Sequence, residues 1–104
     1  MERDVWIALV CVSALPGNEQ LGNGQGAYVY VLAPAGNDTE FLVLARQALA
    51  EKCLKINSLE QVELFSLHQV KYVVSNGLQY LAEQARDLGK LQMGRFCFFG
   101  EELS

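Results

Sequence analysis

The chain has 104 residues, of which 51% are hydrophobic and 19% charged, with a formal net charge of −4. This is the composition of one globular domain rather than a disordered segment. A chain of this length buries roughly 65% of its unfolded surface, so neither a disulfide nor a metal is required for folding. Its eight basic residues, Arg3, Arg46, Lys52, Lys55, Lys71, Arg86, Lys90 and Arg95, lie singly among acids. They form no basic stripe of the kind that tracks a phosphate backbone, which argues against nucleic-acid binding.

Residues 5–12 (VWIALVCV) read as a first strand. Val5, Ile7, Leu9 and Cys11 occupy one parity and Trp6, Ala8, Val10 and Val12 the other, so both faces are apolar. A strand wet on one side alternates more cleanly, so this one is expected at the centre of a sheet or against a second surface. The same run looks like the apolar stretch of a signal peptide. Glu2 and Asp4 outweigh Arg3 in front of it, however, and the run is too short to span a bilayer. It therefore reads as a core strand and not as a membrane segment.

Pro16 and Gly17 end that strand, and Gly22, Gly24 and Gly26 punctuate the connection to the next one. Residues 17–26 carry no Lys-Ser/Thr pair and lead into a strand, so they are not a phosphate loop. They read as a mobile connection whose polar tip, Asn23 and Gln25, is a candidate partner contact. Residues 28–33 alternate aromatic and β-branched side chains, a second strand. Asn37 stands three residues before Glu40, the spacing of a capping box. A helix is expected over residues 38–53, with Phe41, Leu44, Ala45, Ala48 and Leu49 as its dry face.

Residues 59–66 contain a third strand, with Val62 and Leu64 alternating against Gln61 and Glu63. Residues 67–75 fit either an extended segment or a helical stripe. The Ser75-Asn76-Gly77 cluster reads as a boundary, which tips the reading towards extended. Asn76 is the expected cap of a second helix that runs to about Leu88, with Gly89 suited to its C-terminus. Residues 94–99 form a closing strand.

The expected fold is thus a single α+β domain over residues 1–104. It is a two-layer sandwich of ferredoxin-like variant, with a four- or five-stranded mixed sheet and two helices on one face. Such a sheet would leave its other face open, with Trp6, Tyr28 and Tyr30 upon it. Large flat rings with a polar handle are favoured at interfaces, so these three are candidate partner-binding residues.

No catalytic, cofactor-binding or metal-binding set is recognisable. The one histidine, His68, lies beside an expected turn with no Ser, Cys or carboxylate placed against it by spacing, and reads as a surface or turn residue. Glu60 and Glu63, three residues apart on a strand, lie on opposite faces and form no acid–base pair. Cys11, Cys53 and Cys97 are odd in number and form no C-x-x-C pair, which suits buried free thiols in a reducing compartment.

Residues 27–33 (AYVYVLA) are followed by a polar turn and by Glu40-Phe41 opening a helix. Together with residues 59–63 (LEQVE) and the closing Gly94-Arg95-Phe96, they resemble small α+β immunity proteins of bacterial polymorphic-toxin systems. The likeness spans residues 27–99 and rests on element order and apolar positions. It implies a non-catalytic cytoplasmic inhibitor that binds and blocks a toxin domain, with no individual functional residue carried over. The alternative is a ferredoxin-like regulatory or assembly domain that dimerises through its sheet and binds a small ligand. The expected partner is therefore another protein or a second copy of the chain.

Overall fold

A computed structural model of the chain describes residues 4–16, 26–94 and 96–98. The first strand, β1 (Asp4–Ala14), pairs antiparallel with β2 (Gly26–Ala35), from Asp4 opposite Ala35 to Ser13 opposite Gly26. On its other side β1 pairs antiparallel with β3 (Leu54–Leu64). Two short strands, β4 (Gln92–Met93) and β5 (Cys97–Phe98), both pair antiparallel with β2 and together make the opposite edge. The sheet order is β3-β1-β2-β4, which places the doubly apolar β1 inside the sheet as its sequence requires. The mixed sheet expected from the sequence is corrected, since every pairing among the described residues is antiparallel.

Helix α1 (Asp38–Glu51) begins where Asn37 Oδ1 accepts a hydrogen bond from the Glu40 N–H at 2.8 Å. The return arm of the capping box lands one residue early, with Glu40 Oε2 accepting from the Gly36 N–H at 3.3 Å. Phe41, Ala45 and Leu49 are buried, and Leu44 and Ala48 half-buried, as the apolar stripe predicts. They pack on Ala8, Val10 and Val12 of β1, which stand opposite Val31, Val29 and Ala27 of β2 and so share a face with them, and on Ala33.

The chain then leaves β3 directly into α2 (Phe65–Lys71), crosses residues 72–75 in extended form, and enters α3 (Asn76–Leu88). Ser75, not Asn76, caps α3, its Oγ accepting from the Leu78 N–H at 3.2 Å. Gly89 ends it in the left-handed region (φ 65°), the conformation glycine adopts without a steric cost. Phe65, Ala82 and Ala85 pack on Ile7 and Leu32, which belong to the other face of the sheet.

The placement of two helices on one face is therefore corrected: α1 covers one face, and α2 with α3 the other. The reason is β1 itself. Its odd and even positions are both apolar, and each set recruits its own cover. The reading of residues 67–75 as extended is also corrected in part, because the chain is helical as far as Lys71, with Phe65 and His68 rather than Leu67 and Val70 turned inward.

Phe41 is fully buried at the centre of the larger cluster. Replacing it with Ala should lower unfolding free energy by about 3–5 kcal/mol. Urea titration followed by the fluorescence of Trp6, the only tryptophan, measures this directly. A loss below about 1 kcal/mol would contradict this packing.

Candidate functional site

Where β3 meets α2, the register sets Glu63 opposite Ile7, on the face that α2 covers. The carboxylate is only 9% exposed. A buried charge is costly unless it is paired and hydrogen-bonded, and here two basic side chains of α2 approach it. Lys71 Nζ donates to Glu63 Oε1 at 2.9 Å, and His68 Nδ1 lies 3.4 Å from Oε2. A carboxylate accepts only, so Nδ1 is the donor in this pair. The hydrogen bond from Lys71 lowers the Glu63 pKa from its ordinary value of 4.5, burial opposes that shift, and the bond from His68 adds to it. The same contact raises the pKa of Lys71, whose side chain is largely in solvent.

His68 is buried, not a surface or turn residue as its sequence neighbourhood suggests. Its ring is enclosed by aromatics. Phe65, one turn earlier, stacks at 6.4 Å and 18°; Tyr72 lies at 4.8 Å and 39°; Tyr30 of β2 meets it edge-on at 6.1 Å and 74°. Glu63 and His68 thus tie α2 to the sheet, and the ring contact ties Tyr72 to α2. A seven-residue helix has little stability of its own, so these contacts hold it.

The clasp positions an apolar surface. Leu67 and Val70, three residues apart on α2, face solvent, and Tyr72 and Val73 continue the exposure into the extended segment beyond the helix. Val70 is 84% exposed and Val73 fully exposed. Beside α2 lies a cleft of about 500 Å³ with Phe65 in its wall. Asp4, Ser66, Gln69, Gln79, Glu83 and Arg86 provide its polar lining.

The residues singled out in the sequence do not come together. Trp6 stands opposite Ala33, on the α1 face, where it stacks on Phe41 at 6.4 Å and its indole N–H donates to the Ala35 carbonyl at 3.2 Å. Tyr28 stands opposite Cys11 and Tyr30 opposite Leu9, on the other face. The common face expected for the three rings assumed that Ile7 and Val31 lie on one side of the sheet. The register pairs Ile7 with Leu32 instead. Asn23 and Gln25 fall outside the described residues. Sequence reasoning missed Glu63, Lys71 and the exposed α2 surface. The helical spacing of Phe65, His68 and Lys71 is the signal for the helix that carries Lys71 and that surface, whereas no spacing points to Glu63 on the strand before it.

No family model, no curated protein and no solved structure matches the chain. Among the described residues no cluster of three or more His, Cys, Asp or Glu side chains is placed to hold a metal ion. Cys11 and Cys53 are free thiols. No helix of the described residues is long and apolar enough to cross a membrane.

The clasp has a pH signature. The folded pKa of Glu63 lies below its ordinary value. Its contribution to stability is therefore complete above about 4.5, the unfolded value, and is lost as pH falls through the lower folded value. Thermal melts between pH 3 and 7 should show an acid limb that is shallower in Glu63→Gln than in the parent. Identical limbs would mean that the carboxylate is not held as described.

Proposed function

We propose that the chain is a non-catalytic cytoplasmic protein-binding domain that acts by occluding its partner. The observation supporting this reading is the solvent-facing set Leu67, Val70, Tyr72 and Val73, beside the contacts of the buried Glu63 with His68 and Lys71. Single exposed apolar residues are ordinary, but a cluster on a rigidly fixed short element is the pattern of an interface. Tyr72 supplies the flat amphipathic surface typical of interface centres. The net charge of −4 steers encounter with a basic partner. Neutralisation of a toxin, the role implied by resemblance to the immunity proteins, fits this chemistry.

A second reading is favoured by one observation. Strands β2 and β3 run the same way on either side of β1, and α1 connects them, giving the split βαβ unit that ferredoxin-like domains contain. Together with the cleft of about 500 Å³, a size suited to a small molecule, this supports a ligand-binding regulatory domain.

A photo-reactive side chain at position 73, in protein expressed in its native cell, tests the leading reading. It should give one discrete protein adduct that is lost when Val70→Glu is added and absent when the probe sits at Arg46 on α1. The purified adduct partner should then bind the parent at least tenfold more tightly than Val70→Glu. Equal labelling from both positions, or none from position 73, would sink the proposal.

A further inference from the structure

The two edges of the sheet differ. One is made of β4 and β5, two residues each, a short and interrupted edge of the kind that discourages pairing. The other is β3, 11 residues long, whose only strand partner among the described residues is β1. An edge of that length presents a full row of backbone donors and acceptors to any strand that fits.

The sequence of β3, LKINSLEQVEL, is a palindrome in chemistry. Turned antiparallel about Leu59 and laid against itself, it sets Leu54 opposite Leu64 and Ile56 opposite Val62. Asn57 then meets Gln61, Lys55 meets Glu63, Ser58 meets Glu60, and Leu59 meets its own copy. Apolar stands against apolar, amide against amide, and the one base against an acid. No like charges are apposed. Shifting the register by one residue puts Ile56 against Gln61 or Glu63. Shifting it by two puts Glu60 against itself or against Ile56. One register is thus singled out, as the side-chain period of a strand requires.

The backbone shares the same symmetry. Relative to β1, β3 carries extra residues between Ile56 and Ser58 and between Glu60 and Glu63. These bulges, at Asn57 and around Gln61 (φ 56°), lie at mirror positions about Leu59. In the self-paired register each bulge faces the other, so the offset made by one is cancelled by its opposite. The bulges also bring Leu54, Ile56, Leu59 and Val62 onto the α1 face despite their uneven spacing, because each joins the cluster around Phe41.

We propose that β3 is a dimerisation edge that pairs antiparallel with β3 of a second copy about a two-fold axis through Leu59. The product is one continuous sheet across both molecules. The contact is isologous, so every pair occurs twice except the central one. It does not use the α2 surface, which is assigned to a different partner.

Sedimentation velocity of the purified chain from low micromolar to millimolar concentration tests it, using exposed positions whose replacement leaves the core intact. The parent should show a reversible monomer–dimer equilibrium. Ser58→Glu, which brings a carboxylate against Glu60 of the second copy twice per dimer, should weaken it roughly fivefold. Ser58→Lys should tighten it by a similar factor, and Ser58→Glu with Glu60→Lys, which restores an opposite-charge pair in the reverse order, should tighten it likewise. Val73→Glu should leave it unchanged, which separates failure of this proposal from failure of the α2 reading. A monomer at every concentration, or a dimer indifferent to the charge at position 58, overturns the proposal. Should Ser58→Glu fail to fold by circular dichroism, Glu60→Gln and Ser58→Lys carry the charge test, and a dimer indifferent to both overturns the proposal.

Discussion

The burial of β1 from both sides is the constraint on which the rest of the molecule depends. Ile7 on one face and Ala8, Val10 and Val12 on the other are all fully excluded from solvent. A strand of this kind needs a neighbour on each edge and a cover on each face. The chain supplies β2 and β3 as neighbours, α1 as one cover, and the α2–α3 pair as the other. The interior is accordingly two clusters separated by the sheet. The α1 side is the larger and carries Phe41 and Leu49. The α3 side is smaller and built around alanines that let the helix approach closely.

That smaller second cluster explains the need for an ionic clasp. The helix α3 buries Ala82 and Ala85, whereas α2 contributes Phe65 and His68 from seven residues. A helix that short is marginal by itself, and a directional contact adds to the packing of Phe65. Glu63 supplies it, at the cost of partial desolvation that Lys71 and His68 offset together. The outcome is a small element held rigidly enough to display apolar residues at its outer surface. Preorganisation of this kind lowers the entropy lost on binding, which is where a rigid anchor gains affinity.

Much of the fold was legible because local signals agreed with tertiary needs. Asn37 with Glu40, the apolar spacing of Phe41, Ala45 and Leu49, and Gly89 at the end of α3 each locate a boundary or a face, and the structure places them accordingly. The double apolarity of β1 was equally plain. Its consequence, cover on both faces, was not drawn, because element order alone does not fix the register between β1 and β2. One residue of register decides whether Trp6 shares a face with Tyr30. The paired set Trp6–Ala33 and Leu9–Tyr30 separates them. The stretch after β3 misled for a different reason. Val70, Val73 and Val74 have strand propensity, yet the contacts from Glu63 on the preceding strand to His68 and Lys71 favour helix through residue 71, and only Val73 and Val74 stay extended. No spacing rule within the chain announces a carboxylate that waits on the preceding strand.

The two bulges of β3 bear on how an acidic chain with a long free edge escapes indiscriminate pairing. A bulge twists an edge strand and breaks its regular ladder, and is a common defence against foreign strands. Lys55, Glu60 and the left-handed Gln61 add to that defence here. A flat strand brought against β3 would meet extra residues with no counterpart and leave backbone groups unpaired, which costs more than the remaining bonds return. A strand that carries matching irregularities at mirror positions meets no such mismatch, and β3 itself is such a strand. In the proposed dimer the features that exclude unrelated strands would act as a selection for the molecule's own copy, and specificity would arise from the irregularity rather than in spite of it.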